Sequence, residues 1–208
     1  MPVSRQHEQS VGWPDRPVLC IDEAGRGPWA GPVVAACICL PPDFDIAGLD
    51  DSKKLTETKR EALFAQLSTL PHATGQAEVG EIDALNILHA TFLAMRRAAD
   101  ALVAQMGLKS PPHILVDGNR LPDWPYEASA IIGGDGVSAG IAAASVLAKV
   151  TRDRLMRELD AAHPGYGWAS NKGYGAKAHR QGLAQFGVTP HHRRSFKPIA
   201  DMLRAQNG

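Results

Sequence analysis

The 208-residue chain lacks the marks of several protein classes. No run approaches the ~18 consecutive apolar residues that a bilayer span needs, so no membrane partner is expected. Only three cysteines occur, Cys20, Cys37 and Cys39. An odd count without Cys-x-x-Cys spacing excludes a disulfide framework, and the three read as core thiols of a reducing, cytoplasmic compartment. The histidines show no zinc spacing, and His163, His179, His191 and His192 read as surface or phosphate-facing residues. Residues 1–16 are polar, without the apolar region of a signal peptide, and read as a flexible leader. Residues 17–208 then form a single domain. There is no internal repeat, and the formal net charge is zero, which alone argues against a nucleic-acid partner.

The distribution of charge says otherwise. Residues 149–208 hold 11 Lys and Arg against 4 Asp and Glu, so the rest of the chain is acidic by the same margin. An acidic body with a basic C-terminal region suits a protein that neutralises phosphates. Apolar patterning predicts strands over Val18–Asp22, Gly31–Leu40, Ala73–Val79, His113–Val116 and Glu127–Ile132, the first two as a hairpin. Helical spacing covers Thr56–Leu70, Ile82–Met106 as one or two helices stopped by Gly107, and Ser138–Leu159. A hairpin followed by alternating strands and helices implies an α/β domain with a mixed central sheet flanked by helices. The catalytic body would run to about 160, followed by a basic helical extension over 161–208.

The acids carry the chemistry. Asp22, Asp117 and Asp135 each follow a predicted strand, and α/β folds place their sites at such strand ends. Charge gathered this way is costly without a cation, and Mg²⁺ or Mn²⁺ takes hard carboxylate oxygens. Two such ions can activate a water and stabilise the leaving oxygen of an in-line displacement. Turn-capping is the alternative use of each acid. Glu23 poses a difficulty, because neighbours in a strand point to opposite faces. It joins Asp22 only if the strand breaks there, which Gly25 and Gly27 favour; otherwise Glu23 bonds the loop backbone.

Around the acids lie candidate substrate contacts. Gly25-Arg26-Gly27 is a basic turn whose glycines allow backbone amides to approach a ligand. Ser52, Lys53 and Lys54, ahead of a helix, suit phosphate contact or a solvated helix start. Gly165-Tyr166-Gly167-Trp168 and Lys172-Gly173-Tyr174-Gly175 set aromatics among glycines, as stacking on sugars or bases requires, or as a packed loop with a buried ring.

In order along Val18–Ile199, Asp22-Glu23-Ala24-Gly25-Arg26-Gly27-Pro28, Asp51-Ser52-Lys53-Lys54-Leu55, Val116-Asp117-Gly118, Gly134-Asp135, Ala142–Asp153, Lys172–Gly175 and His192–Phe196 resemble the bacterial ribonuclease HII family. The resemblance implies a ribonuclease H-like fold and an endonuclease that hydrolyses the RNA strand of RNA–DNA hybrids. It also implies cutting 5′ to single ribonucleotides embedded in duplex DNA, leaving 3′-hydroxyl and 5′-phosphate ends. Ribonucleotide excision and RNA primer removal, by a monomer, are the implied roles. In its terms Asp22, Glu23, Asp117 and Asp135 hold two Mg²⁺ or Mn²⁺ ions. Gly25, Arg26 and Gly27 read the 2′-hydroxyl, Tyr174 stacks on the deoxyribose beyond it, and Asp153 is structural. Two residues depart from the pattern, Gly133 for a common Lys and Gly140 for a frequent Ser. The first would weaken phosphate contact and the second would loosen the helix start. A DNA nuclease with related acids, indifferent to the 2′-hydroxyl, and a hybrid-binding module without turnover are the rival readings.

Overall fold

The computed structural model describes residues 3–206. Five strands, β1 (Val18–Ala24), β2 (Val33–Ile38), β3 (His72–Ala77), β4 (His113–Asp117) and β5 (Glu127–Ile131), form one sheet in the order β3-β2-β1-β4-β5. β1 pairs antiparallel with β2 and β2 with β3, while β4 runs parallel to both β1 and β5. The expected α/β class with a mixed sheet is therefore present. Parallel pairing decides where the acids go: the C-terminal ends of β1 and β4 share one edge, so Asp22-Glu23 and Asp117 meet there.

Period-two alternation sorts the strand side chains onto two layers. Leu19, Ile21, Val33, Ala35, Ile114 and Val116 pack under α3 (Val79–Met106). On the other face, Val18, Cys20, Ala36, Ile38 and Leu115 pack under α4 (Ala139–Ala162), whose alanines permit the close approach. Beside α4 lies α2 (Glu57–Leu67), started by Thr56, whose side chain accepts from Lys59 N. α3 begins ahead of the expected Ile82, because Glu78 and Glu81 form a reciprocal capping box. Asn86 breaks it with φ 67°, and its Oδ1 accepts from Leu88 N and His89 N, so the span is two helices end to end.

From Val3 onward the segment expected as a flexible leader is docked; residues 1 and 2 lie outside the described residues. Within it α1 (Gln6–Ser10) carries Glu8, a buried carboxylate whose Oε1 accepts from Ser138 Oγ and Gly140 N, both at 2.8 Å. Ser4 adds backbone bonds to Val137 and Ala139. A negative side chain on the amides that open α4 is favourable for the helix dipole. Gly140 makes this fit rather than loosening it: a Cβ there would lie 2.3 Å from Cys20 Sγ and 3.1 Å from Glu8 Oε1. Polarity misled the reading, because one buried acid with two donors suffices to tie the segment down.

Residues beyond α4 pack on Ala30 and on Met156 of α4 in a third core, in which Tyr166, Trp168, Leu183 and Ile199 are also buried. It joins α5 (Trp168–Asn171), α6 (Lys177–Phe186) and α7 (Lys197–Gln206) to the body. Tyr166 and Trp168 stack on one another inside it and are unavailable to a ligand. His179 and His192 are also fully buried, contrary to their expected surface placement. Their ring nitrogens find partners among Trp168, Tyr174 and Thr189, which satisfies the polar atoms that burial would otherwise penalise.

Two outcomes follow from these contacts. Glu8→Ala leaves Ser138 Oγ and Gly140 N without their acceptor and lowers unfolding free energy by about 1–3 kcal/mol. Glu8→Gln, which keeps an acceptor oxygen, costs less in the same denaturant titration. Burial first, then the adjacent His179 ring, holds the His192 ring down at about 4. The associated stability is complete above the unfolded value near 6.5 and is lost as pH falls toward 4, by at most roughly 3 kcal/mol. An NMR titration should find the His192 ring still neutral at pH 5.

Candidate active site

β1 does not break at Asp22. The ladder with β2 continues through Asp22↔Ala36, Glu23↔Ala35 and Ala24↔Val34, so the two acids project to opposite faces. They meet again only at the sheet edge. A cavity of about 250 Å³ there is lined by Asp22, Glu23, Asp117, Lys53, Arg152 and Tyr174, with the Gly25–Gly27 turn and Ser52 as further walls. An adjoining groove of about 290 Å³ on the α3 side shares Glu23, Arg26 and Asp117.

Asp135 reaches the same edge by a different route. After β5 the chain takes a left-handed residue at Gly133 (φ 66°) into one 3₁₀ turn, Gly134–Gly136, which carries Asp135 inward to near-complete burial. Asp117 Oδ1 accepts from Gly134 N at 2.7 Å, locking this turn onto β4. The position of the missing Lys at Gly133 is open, and the nearby cation is Lys53 instead, whose Nζ lies 3.3 Å from Asp135 Oδ2.

The electrostatics are those of crowded, desolvated carboxylates. Burial pushes the Asp22 carboxyl well above its ordinary range, and Glu23, Asp117 and Asp135 push it further. Glu23 and Asp117 are raised as well, by burial first; Arg26 partly offsets the rise at Glu23. Burial alone would lower Lys53, but Asp135, Asp51 and Asp22 outweigh it and hold the ammonium above its usual value. Among the described residues no three His, Cys, Asp or Glu side chains are gathered closely enough to hold a metal ion as they stand. The donor set nevertheless fits a hard divalent cation: carboxylate oxygens only, mutually repelling and short of compensating charge.

Two residues that the sequence reading left without a role organise the substrate side. Arg193 is fully buried and donates to Gly25 O, Arg26 O and Gly31 O at 2.6, 3.0 and 2.8 Å. Arg152 donates to Ala30 O, Pro32 O and Lys172 O. Neither has a carboxylate partner among these bonds. With the carbonyls of Gly25 and Arg26 held, the trans peptides aim the amides of Arg26 and Gly27 away from Arg193. Neither amide has a hydrogen-bond partner among the described residues. Gly25 is obligatory here, since φ is 99° and a Cβ would lie 1.9 Å from Arg152 Nε. The signal was present in Thr151-Arg152-Asp153 and His192-Arg193-Arg194, but composition alone does not tell a buried arginine from a solvated one.

Of the remaining expected contacts, Ser52 is buried against α4, its amide donating to Ser145 Oγ. Tyr174 is 51% exposed, with its ring edge over Gly27. Lys54 is not brought in: it pairs with Asp50 at 3.2 Å on the surface. Lys149, half-buried in the cavity wall, bonds Asp153 at 2.7 Å, a pair internal to α4.

The fold is shared with solved type 2 and type 3 ribonucleases H. The structure superposes on ribonuclease H2 of Pyrococcus horikoshii OT3 with a TM-score of 0.70 at 26% identity, covering 91% of this chain and 98% of that one. It matches the fold of Bst ribonuclease HIII in complex with Mn²⁺ with a TM-score of 0.74 at 21% identity, covering 91% and 70%. In sequence it is 55% identical over 188 residues to ribonuclease HII of Magnetococcus marinus, covering 89% of this chain and 87% of that protein. The ribonuclease HII family model matches residues 19–199. The chain belongs to the ribonuclease HII family, and is thereby a ribonuclease H, a metal-dependent endonuclease.

A cation is expected to relieve the repulsion described above. Asp22→Asn should therefore raise the metal-free melting temperature, while Mg²⁺ raises that of the wild type by more than that of the variant. Thermal unfolding with chelator and with Mg²⁺ checks both signs; an Asp22→Asn variant less stable than wild type without metal contradicts the charge argument.

Proposed function

We propose that this ribonuclease hydrolyses the RNA strand of RNA–DNA hybrids and cuts 5′ to single ribonucleotides embedded in duplex DNA, leaving 3′-hydroxyl and 5′-phosphate ends. Ribonucleotide excision and primer removal are the processes that such cutting serves, with the chain acting as a cytoplasmic monomer. The supporting observation is the pair of unpartnered amides at Arg26 and Gly27, presented beside the acid edge by Arg193. Amide donors there suit the acceptor lone pairs of a 2′-hydroxyl, the group that separates RNA from DNA.

In this reading Asp22, Glu23, Asp117 and Asp135 hold two Mg²⁺ or Mn²⁺ ions; the Mn²⁺ complex of the Bst enzyme belongs to the same fold. When bound, such ions supply Lewis-acid activation of water and charge stabilisation at the departing oxygen. The protein does the rest. Lys53, which lines the same cavity as the glycine turn and lies beside Asp135, meets phosphate, with Ser52 setting its loop. Tyr174 offers a ring face next to Gly27 for the sugar following the ribonucleotide. Gly25-Arg26-Gly27 fixes the register of the strand through backbone contacts, so the scissile phosphate falls at the acids. Basic residues of α6, Lys177 and Arg180, extend the cationic surface past Tyr174.

A labelled duplex with one ribonucleotide, incubated beside an all-DNA control with Mg²⁺, Mn²⁺ or chelator, tests the reading. Metal-dependent cutting 5′ to the ribonucleotide with the control intact is expected, and Asp117→Asn should lose at least about a hundredfold in rate. Cutting of both duplexes would assign a general nuclease. Binding without turnover in either metal would assign a hybrid-binding module.

A further inference from the structure

The third core contains a hydrogen-bonded chain of neutral histidines that ends on the Tyr174 backbone. Trp168 Nε1, which can only donate, lies 3.1 Å from His179 Nε2, so that nitrogen carries no proton. His179 Nδ1 is then the protonated one and donates to Tyr174 O at 3.0 Å. On the other side, Thr189 N donates to His192 Nδ1 at 3.0 Å, so the His192 proton sits on Nε2 and points at His179 Nε2, 3.0 Å away. Every tautomer is set by a donor that cannot reverse. Both rings are fully buried, and no carboxylate is hydrogen-bonded to either among the described residues.

The same short segment is bonded to the 29–31 stretch that follows the glycine turn. His192 bridges Ala30, Gly31 N donates to His191 O, and Arg193 N donates to Trp29 O. Consecutive residues thus reach in two directions: Arg193 to the carbonyls of Gly25 and Arg26, and His192 through His179 to the carbonyl of Tyr174. Between them the Tyr174 loop is pressed onto the turn, with Trp29 N bonded to Gly173 O and the Trp29 ring filling the space over Gly175.

We infer that His179 and His192 are positioning residues for substrate reading: they hold the Tyr174 loop in register with the Gly25–Gly27 turn, so that ring and amides engage one nucleotide step together. This rests on the reading of Tyr174 as a substrate contact. No proton is transferred; the histidines act through geometry alone, His179 as the donor that fixes where the Tyr174 ring projects.

A double-mutant cycle on binding separates this role from a merely structural one. The dissociation constant for a duplex with one ribonucleotide is measured with chelator by fluorescence anisotropy, for wild type, Tyr174→Ala, His179→Phe and the double variant. Stacking lost at Tyr174 should weaken binding about tenfold. His179→Phe should cost most of that factor, and almost nothing more in the Tyr174→Ala background. His179→Asn, whose amide N–H stands where Nδ1–H stood, should restore binding toward wild type. His192→Gln, which reaches His179 from the same backbone position, serves as the second probe and should fall between wild type and His179→Phe. Independent, additive losses at positions 174 and 179, or full wild-type affinity in a folded His179→Phe, would overturn the inference. If Tyr174→Ala itself binds as wild type, the assignment of Tyr174 to the substrate fails instead, which the single variant shows on its own.

Discussion

The rest of the site depends on two buried arginines that bond backbone carbonyls instead of carboxylates. Desolvation pulls Arg193 down to about 9 and Arg152 down to about 10, and Arg152 adds its own charge to the penalty on Arg193. Burying two cations costs several kcal/mol each before their hydrogen bonds are counted. A planar fork of donors is what makes the arrangement tolerable, because it meets several carbonyls of the 25–32 loop at fixed angles. A lysine, with its donors on one nitrogen, cannot span that set. The loop is therefore held through its carbonyls, and its unpartnered amides point away from Arg193 on the turn that lines the acid-bearing cavity.

Opposite this rigid cationic scaffold stands a deliberately uncomfortable anionic one. Parallel pairing of β1 with β4 and of β4 with β5 carries three carboxylates and the turn that bears the fourth to one sheet edge. Burial and mutual repulsion raise three of them, and Lys53 answers only part of the charge. The molecule holds an unfavourable cluster of negative charge that a bound divalent cation would relieve. In the proposed reading Arg193 and the acids are complementary: one sets where the nucleotide lies, the other where the chemistry falls.

Much of this was legible in the sequence because it is local. Strands ending in acids, Thr56 as a helix start and Gly107 as a helix stop each follow from a few neighbouring residues. What stayed hidden depends on contacts across long separations. Residues 1–16 read as a polar, flexible leader until Ser138 and Gly140, some 130 positions away, are placed beside Glu8. His179 and His192 read as surface residues until Trp168, Tyr174 and Thr189 fix their tautomers. Lys54 looked equivalent to Lys53, yet the loop sends one to Asp135 and the other to Asp50. The break that would have put Glu23 on the face of Asp22 is absent, because β2 supplies ladder partners through Ala24.

The central claim is that the Arg26 and Gly27 amides, held out by Arg193, read the 2′-hydroxyl. Backbone amide NMR of the metal-free protein with a duplex carrying one ribonucleotide, against the same duplex in DNA alone, tests it most directly. The account predicts that the Arg26 and Gly27 resonances move with the ribonucleotide duplex and stay near their free positions with DNA. Equal movement with both duplexes, or none with either while binding is saturated, would contradict it.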